Sequence, residues 1–387
     1  MRIAVVIAFP RDPGTPHGGV EAVAVSLVKA LARLRETEVH VVTTDEQITA
    51  VERSNWEGAS IHRLPAARRN LLLYATGVGR RQVQDYLERL NPDVVHAHDT
   101  YGIMVQGMRR PRVFTVHGFI HEDTRYGGVR MARLRALLWK RVELACWREQ
   151  PHIVSISPYV RERLRAIARG VIHDIENPIA DECFTVRAGL EQPVIFSAAS
   201  ICQRKNTLGL LMAFERLVQK NPAARLRLAG KPTEPAYGQV VEEFIHRKGL
   251  LGKVNLLGNI PAAAVRAELA GASAFALVSF EEGAPMGIAE AMAAGVPVLT
   301  SNRCGMPYMV RHGESGFLVE PSEPECSANC LQRLFEDAGL RARIGDTARR
   351  VALDLFHPAR VAVRTFAVYQ EAVGNVSEHL FGPSDEP

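Results

Sequence analysis

The sequence predicts an α/β protein built from two Rossmann-like, doubly wound domains that face a cleft. Short apolar runs alternate with longer amphipathic runs from the first residue onward, as in parallel sheets covered by helices. The chain has 387 residues, more than a single hydrophobic core usually serves. Its composition is 47% hydrophobic but only 6% aromatic, which suits aliphatic helices packed on parallel strands.

In the first half, several apolar runs have the length and composition of strands. These runs are 2–9, 38–44, 59–64, 93–97, 112–117, 151–156 and 171–175. The amphipathic stretches 20–34, 80–90 and 130–147 are predicted to be helices between them. In the last stretch, apolar residues recur at helical spacing, namely Met131, Leu134, Leu138 and Val142.

Residues 175–193 interrupt the alternation. They contain Pro178 and Pro193 with polar residues between them, so we interpret them as a linker. The alternation then resumes with VIFSAAS, RLRLAG, KVNLLG, SAFALVS and GVPVLTS, each followed by a helical stretch. We therefore predict one domain over 1–178 and a second over 179–358.

Composition excludes several classes of protein. The net charge of +5 is a mild basic bias, so we expect no nucleic-acid partner. The six cysteines include no CxxC pair, and we expect no metal centre and a reduced, cytoplasmic protein. The N-terminal apolar run stops at Pro10 and indicates a buried strand, not a signal peptide. No stretch approaches the ~20 apolar residues that span a bilayer.

The stretch SFEEGAPMGIAEAMAAGVPVLTS is the best candidate for a functional loop. Glu282 and Glu290 lie on either side of a Gly/Pro turn, and Pro285 is suited to the start of a helix. Amides at a helix start are unpaired donors that suit a phosphate. Here those amides belong to Met286, Gly287 and Ile288. Glu282 and Glu290 could accept hydrogen bonds from vicinal sugar hydroxyls, or could simply favour the helix N-terminus electrostatically.

This stretch resembles the E-x7-E region of retaining glycosyltransferases of the group 1 type (family 4), which have the two-domain GT-B fold. EGAPMGIAE fits the variant with proline in the fourth position, and EAMAAGVPVL matches the continuation closely. In that family, the first glutamate contacts the donor hexose and the second contacts the ribose. The resemblance assigns those roles to Glu282 and Glu290. It implies a metal-independent reaction with a nucleoside diphosphate sugar as co-substrate and no cofactor.

Other segments resemble the same family in chain order. PHGGVEAVAVSLVKALARL resembles the first Gly-rich loop, where Gly18 and Gly19 would let the backbone approach the diphosphate or the acceptor. TVHGF contains His117, which ends a strand near the place where the family's histidine approaches the donor sugar. DVVHAHD, SISPYVRERL and IENPIADECF match further segments. The last helix, about 359–376, resembles the one that packs back on the first domain, and we expect the tail 377–387 to be disordered.

The segment SAASICQRKNTLGLLMAF both matches the family and departs from it. Lys205 matches the lysine that pairs with the diphosphate, as a point charge at a strand-to-helix loop should. The family usually has a Gly-Arg pair where this chain has Ala198 and Ala199. Arg204, beside Lys205, could supply the missing charge or could equally point to solvent.

The leading hypothesis is a hexosyltransferase that acts on a hydroxyl acceptor, which can be a glycan, a lipid-linked molecule or a small molecule. Ala199 motivates the alternative of a catalytically weak sugar-nucleotide binder or partner subunit. A dinucleotide-dependent oxidoreductase is disfavoured, because no G-x-G-x-x-G follows the first strand. The sequence does not choose between UDP and GDP donors.

A basic segment covers residues 125–148. Its bases are Arg125, Arg130, Arg133, Arg135, Lys140, Arg141 and Arg148, interleaved with Leu137, Leu138, Trp139 and Trp147. One interpretation is peripheral contact with anionic lipid at the inner face of the membrane, or with a lipid-linked diphosphate acceptor. The other is the solvated face of an ordinary core helix.

Overall fold

The structure, a computed structural model, divides into two compact units. The residues that it describes are 1–67, 70–126, 132–189 and 193–374. The first unit contains Met1–Arg11, Val20–Glu176 and the chain from Pro358, and the second contains Asp12–Gly19 and Asn177–His357. Each unit has one sheet of mainly parallel strands connected by helices, which confirms the predicted fold class.

The first unit contains an eight-stranded sheet. Its strands are β1 (Arg2–Val6), β2 (Glu38–Asp45), β3 (Glu52–Trp56), β4 (Ala59–Pro65), β5 (Val94–His98), β6 (Arg112–Val116), β7 (His152–Ser155) and β8 (Val171–Asp174). The spatial order is β3-β4-β2-β1-β5-β6-β7-β8. Neighbouring strands run parallel except β3 and β4, which are antiparallel.

Strand β3 was not predicted from the sequence. Its residues ERSNW are almost all exposed and carry no apolar alternation. The strand forms because Glu57 and Gly58 both adopt positive φ angles, 47° and 86°, and turn the chain back into β4. A two-residue turn with positive φ at both positions matches the twist of a hairpin.

The helices of the first unit before the linker were predicted only in part. They are α1 (Gly19–Ala32), α2 (Leu71–Thr76), α3 (Val78–Leu90), α4 (Thr100–Met104), α5 (Ile120–Tyr126), α6 (Ala132–Glu149) and α7 (Pro158–Arg165). The three predicted helices correspond to α1, α3 and α6. The short helices α2, α4, α5 and α7 were missed, because three turns or fewer give little periodic signal.

Helix α6 buries a different face from the one that the leucine spacing suggested. Leu134 and Leu138 are exposed, at 48% and 43%. The buried side chains are Ala136, Trp139, Glu143, Cys146 and Trp147. The carboxylate of Glu143 accepts hydrogen bonds from the N–H groups of Ile120 and His121, both at 2.9 Å, and so caps the start of α5. The buried face of α6 therefore includes an acidic residue, Glu143, and its exposed face includes Leu134 and Leu138.

The second unit contains a six-stranded parallel sheet. Its strands are β9 (Val194–Ala198), β10 (Arg225–Ala229), β11 (Val254–Gly258), β12 (Ala274–Leu277), β13 (Val298–Ser301) and β14 (Gly316–Val319), in the spatial order β11-β10-β9-β12-β13-β14. Its α-helices are α8 (Thr207–Lys220), α9 (Pro235–Arg247), α10 (Ala262–Ala270), α11 (Met286–Ala293), α12 (Met306–Met309), α13 (Pro324–Glu336) and α14 (Ala338–Leu355). The edge strand β14 was not predicted.

The last described helix, α15 (Pro358–Val373), belongs to the first unit. Val361, Val368 and Tyr369 are buried in one core with Ile3 of β1 and Val154 of β7. The predicted tail 377–387 lies outside the described residues. No helix among the described residues combines the length and the apolar character that a membrane crossing requires.

Candidate functional site

Two strand-to-helix loops of the second unit are joined by hydrogen bonds. One loop connects β9 to α8 and carries Arg204; the other connects β12 to α11 and carries Phe280 and Glu281. The Phe280 N–H donates to the Arg204 carbonyl at 2.9 Å. The Arg204 guanidinium Nη1 donates to the Glu281 carbonyl at 2.9 Å. Both loops follow the carboxyl ends of parallel strands, where ligands of such sheets bind.

These two loops bring three of the predicted site residues together. The residue Glu282 is only 8% exposed, and Lys205 Nζ forms an ion pair with its carboxylate Oε1. Arg204 Nη1 lies 3.3 Å from Glu282 Oε2. The two cations that sequence reasoning assigned to the diphosphate therefore neutralise the glutamate that it assigned to the hexose.

Two residues that sequence reasoning missed hold this cluster in place. A Cβ built on Gly305 would lie 1.7 Å from the Gly283 carbonyl oxygen, so only glycine fits there. The Gly305 N–H donates to the Glu282 carbonyl at 2.8 Å. Asn206, the N-cap of α8, donates its side-chain amide to the carbonyls of Val278 at 3.1 Å and Pro321 at 2.8 Å. An asparagine directly before an apolar helix is the one sequence signal that pointed to this cap.

The start of α11 has the features expected of a phosphate site. Pro285 is its N-cap and makes no side-chain cap. The Ile288 N–H donates to the Pro285 carbonyl at 3.1 Å, so the amides of Met286 and Gly287 remain the better donors for a ligand. A Cβ built on Gly287 would lie 3.0 Å from Phe275 Cζ, and glycine allows this close approach to the sheet.

Glu290, one turn into α11, has different surroundings from Glu282. Its side chain is half-buried, and desolvation raises the pKa of its carboxyl group, although Arg266 acts in the opposite direction. A carboxylate that is poorly solvated by water gains most from the hydroxyl donors of a ligand. This arrangement suits a residue that binds a diol.

The Gly-rich loop groups with the second unit. Gly18 has φ of +104°, and no heavy atom lies within 4 Å of a Cβ built on it. Glycine is therefore required there by conformation and not by space. A Cβ built on Gly19 would lie 3.5 Å from Met286 Cγ, an ordinary contact distance. Gly18 is thus required for its backbone conformation, whereas Gly19 lies at contact distance from Met286.

His117 lies in the first unit, directly after β6. Its ring nitrogen Nε2 is 2.9 Å from Nδ1 of His98, the last residue of β5. The His117 N–H donates to Asp99 Oδ1 at 3.1 Å, and Asp99 has the rare positive φ of 46°. The predicted histidine thus sits at the carboxyl ends of two adjacent strands.

Burial keeps the neighbouring imidazoles neutral. Desolvation, with a smaller effect of His117, lowers the pKa of His96 to about 3. Desolvation, together with His96 and His117, lowers the pKa of His98 well below its usual value. The buried Nε2 of His98 has no hydrogen-bond partner among the described residues, and an orphaned N–H is costlier than an orphaned lone pair.

Both halves of the chain match models of glycosyltransferase families. Residues 183–351 match the family model of glycosyl transferases group 1, and residues 17–182 match that of glycosyltransferase family 4. An MMP alpha-(1->4)-mannosyltransferase of Mycolicibacterium hassiacum is 27% identical over 74% of this chain and 72% of its own. A glycosyltransferase of Methanocaldococcus jannaschii is 24% identical over 92% of this chain and 95% of its own.

Solved structures share the fold along almost the whole chain. The sucrose-phosphate synthase of Thermosynechococcus elongatus superposes with a TM-score of 0.80 at 18% identity, over 96% of this chain and 99% of its own. Anabaena HepE, solved in complex with UDP-glucose, superposes with a TM-score of 0.71 at 19% identity, over 97% of this chain and 100% of its own. Because the two family matches together span residues 17–351 without a gap, the chain belongs to the group 1 glycosyltransferases of the GT-B fold.

Proposed function

We propose that the protein transfers a hexose from a nucleoside diphosphate sugar to a hydroxyl acceptor with retention of anomeric configuration. The observation that carries the proposal is the cluster in which Lys205 and Arg204 pair with Glu282, a residue that lies four positions before the start of α11. A cation pair next to a helix N-terminus suits a diphosphate, and a buried carboxylate nearby suits a sugar hydroxyl.

The reaction breaks the bond between the anomeric carbon and the diphosphate oxygen. Lys205 and Arg204 leave Glu282 to meet the diphosphate, and with the amides of Met286 and Gly287 they stabilise its developing charge. The acceptor oxygen bonds to the anomeric carbon on the same face, and its proton passes to the departing phosphate. Glu282 then orients the hexose. His117 keeps the role that the family resemblance assigns to it, contact with the donor sugar.

The donor is tested first, because it can be identified without knowing the acceptor. UDP- and GDP-sugars are added to the wild type, to Glu290→Ala and to the control Glu325→Ala, whose side chain is exposed on α13. Binding to the native state raises the melting temperature through RT ln(1 + [L]/Kd). We expect either the UDP-sugars or the GDP-sugars to raise the melting temperature of the wild type and of the control. The same sugars should have little effect on the melting temperature of Glu290→Ala.

Two further results would separate the enzyme from a mere binder. With the identified donor, acceptor panels are screened for product, and the anomeric coupling constant of the product reports retention. Donor binding without turnover on any acceptor, together with gain of binding in Ala199→Arg, would favour a weak sugar-nucleotide binder. Absence of any shift at millimolar donor would overturn the assignment of Lys205 and Glu290 to a donor site.

We also propose that α6 and its neighbour α2 contact an anionic membrane surface, so that the acceptor is lipid-linked. Leu137 on α6 and Leu73 on α2 are 49% and 68% exposed. The exposed bases of α6 are Arg133, Arg135, Lys140, Arg141 and Arg148. A cavity of about 270 Å³ between these helices is lined mainly by apolar residues, with Arg135 at its edge. Leucines interleaved with bases suit an interface of acyl chains and anionic head groups.

Vesicle sedimentation tests this contact. We expect co-sedimentation with vesicles of mixed phosphatidylglycerol and phosphatidylcholine, and little with phosphatidylcholine alone. Leu137→Gln combined with Leu73→Gln should abolish it, whereas the control Leu251→Gln, which removes a 60% exposed leucine of the second unit, should not. Equal binding of all variants would contradict the membrane contact and would leave the donor assignment untouched.

A further inference from the structure

A cluster of two imidazoles and one carboxylate lies near one edge of the sheet in the first unit. His152 is the first residue of β7, His173 lies in the edge strand β8, and Glu371 lies in the last turn of α15. One nitrogen or oxygen atom from each side chain lies within 4.8 Å of the other two. No other three histidine, cysteine or acidic side chains converge in this way among the described residues.

The fold explains why these side chains meet. Val154 of β7 and Ile175, just after β8, pack in one core with Val368 of α15. Side chains two residues apart on a strand share a face, so His152 and His173 project toward α15 as well. Glu371 follows Val368 by about one helical turn and lies on the same side of its helix. Three elements distant in sequence therefore contribute one side chain each.

The distances suit a metal ion. His152 Nδ1 is 3.1 Å from His173 Nε2 and 3.8 Å from Glu371 Oε1. Zinc bonds of about 2.0–2.1 Å in tetrahedral geometry place ligand atoms roughly 3.3 Å apart. The side chain of Glu371 is 47% exposed, so its carboxylate has room to move closer.

A second histidine pair in the same unit shows that proximity alone does not make such a site. His40 Nδ1 lies 2.9 Å from His62 Nε2. There, however, the nearby carboxylate of Glu38 contacts Nε2 of His40, the nitrogen on the far side of the ring, at 2.9 Å. The three groups form a chain and do not converge. In the His152 cluster, the carboxylate and the second imidazole approach the same nitrogen.

We propose that His152, His173 and Glu371 bind one divalent transition-metal ion of the zinc class. Two imidazoles and one carboxylate favour zinc over magnesium or calcium, which prefer all-oxygen ligand sets. Asp174 is next to His173, but its side chain pairs with Arg161 and projects from the opposite face of β8. The protein thus supplies three ligands, and water completes the coordination. The ion ties the last turn of α15 to the edge of the sheet.

Metal titration of the full-length protein tests the proposal. Protein treated with a chelator and dialysed is titrated with ZnCl₂ by calorimetry, and separately with CoCl₂, whose visible absorption reports four-coordinate geometry. The variants are His173→Gln, Glu371→Gln and the control His312→Gln, which removes an exposed imidazole of the second unit. Circular dichroism verifies that each variant is folded, and Glu371→Gln changes only a half-exposed side chain.

We expect the wild type and His312→Gln to bind about one equivalent of zinc and to develop cobalt absorption. Loss of an outer-shell partner weakens metal affinity about 10–100-fold, so loss of a direct ligand in His173→Gln should cost at least about 100-fold. Glu371→Gln should bind more weakly than the wild type. Zinc affinity that is unchanged in both variants, or equal stabilisation by MgCl₂, would overturn the proposal.

Discussion

The two units place opposite electrostatics at the carboxyl ends of their strands. In the first unit, His96 and His98 are buried and held neutral. In the second unit, Lys205 and Arg204 pair with the single carboxylate of Glu282 and form a charged cluster with one net positive charge. The same architecture therefore supports a neutral, buried pair of hydrogen-bonded imidazoles in one unit and a charged site in the other. The difference arises from which side chains find partners, since strand ends alone impose no charge.

The largest expected effect is the loss of stability of the first unit on acidification. Because the folded pKa of both histidines is lowered, the unfolded chain binds protons below pH 6.5 and the folded chain does not. The unfolding free energy should fall by up to about 1.4 kcal/mol per pH unit for each group, which for His96 amounts to roughly 2 kcal/mol between pH 6.5 and 4.5, and His98 adds a further loss of the same sign. Urea unfolding followed by tryptophan fluorescence measures this in the first unit, which holds all three tryptophans, Trp56, Trp139 and Trp147.

The matched variants assign this slope to the buried imidazoles. His96→Gln should reduce the pH dependence of the unfolding free energy by the contribution of one imidazole. His312→Gln, which removes an exposed imidazole, should leave that pH dependence unchanged. An equally steep slope in His96→Gln would show that other groups of the first unit dominate its acid unfolding.

Breaking the charged cluster should have the next largest effect. Glu282→Gln leaves Lys205 without its partner in a nearly buried setting, which should cost about 3 kcal/mol of unfolding free energy. The double variant Glu282→Gln with Lys205→Met should recover part of that loss. Far-UV circular dichroism reports the unfolding of both units and tryptophan fluorescence only that of the first, so the transition seen by circular dichroism alone measures the second unit, which lacks tryptophan.

The exposed ion pair of Glu320 and Arg303 provides the control for that prediction. Glu320→Gln should leave stability unchanged, because solvent screens the pair. Equal losses in the Glu282→Gln single variant and in the double variant would contradict a coupled pair of Glu282 and Lys205.

The smallest expected effect is a gain in stability, and it follows from replacing Glu290. Because desolvation raises the folded pKa of Glu290, stability falls as the pH rises above the unfolded pKa, and the loss is complete once the pH exceeds the folded pKa. Glu290→Gln should therefore melt slightly above the wild type at pH 7 and equally at pH 4. The exposed Glu325→Gln should not differ from the wild type at either pH. A lower melting temperature of Glu290→Gln at pH 7 would show that the carboxylate has a stabilising partner.

Sequence reasoning was most successful where the signal is local. The apolar runs of β1, β5 and β9 and the turn at Pro285 are visible in a few consecutive residues. It did not identify the buried face of α6, where Leu134 and Leu138 are exposed, and it missed β3, which is polar and exposed except for Trp56. Both errors have one cause: amphipathic periodicity shows that faces differ, but packing against other elements decides which face is buried.

The candidate site was predicted as a set of residues and not as an arrangement. Lys205 and Glu282 were each assigned a ligand, but they are 77 positions apart, and no pattern in the sequence pairs them. Gly305 was overlooked because its requirement comes from the Gly283 carbonyl that packs on it. His152, His173 and Glu371 carry no spacing motif, since each belongs to a different element.

The sequence by itself determined the α/β architecture, the glutamate-flanked turn before α11 and the family to which the chain belongs. These depend on periodicity, turn chemistry and motif order, which are properties of neighbouring residues. Only the tertiary structure decided that Lys205 and Arg204 neutralise Glu282, that His96 is neutral, and that Glu371 meets two histidines. Those outcomes depend on desolvation and on distances between elements that the chain brings together only when it folds.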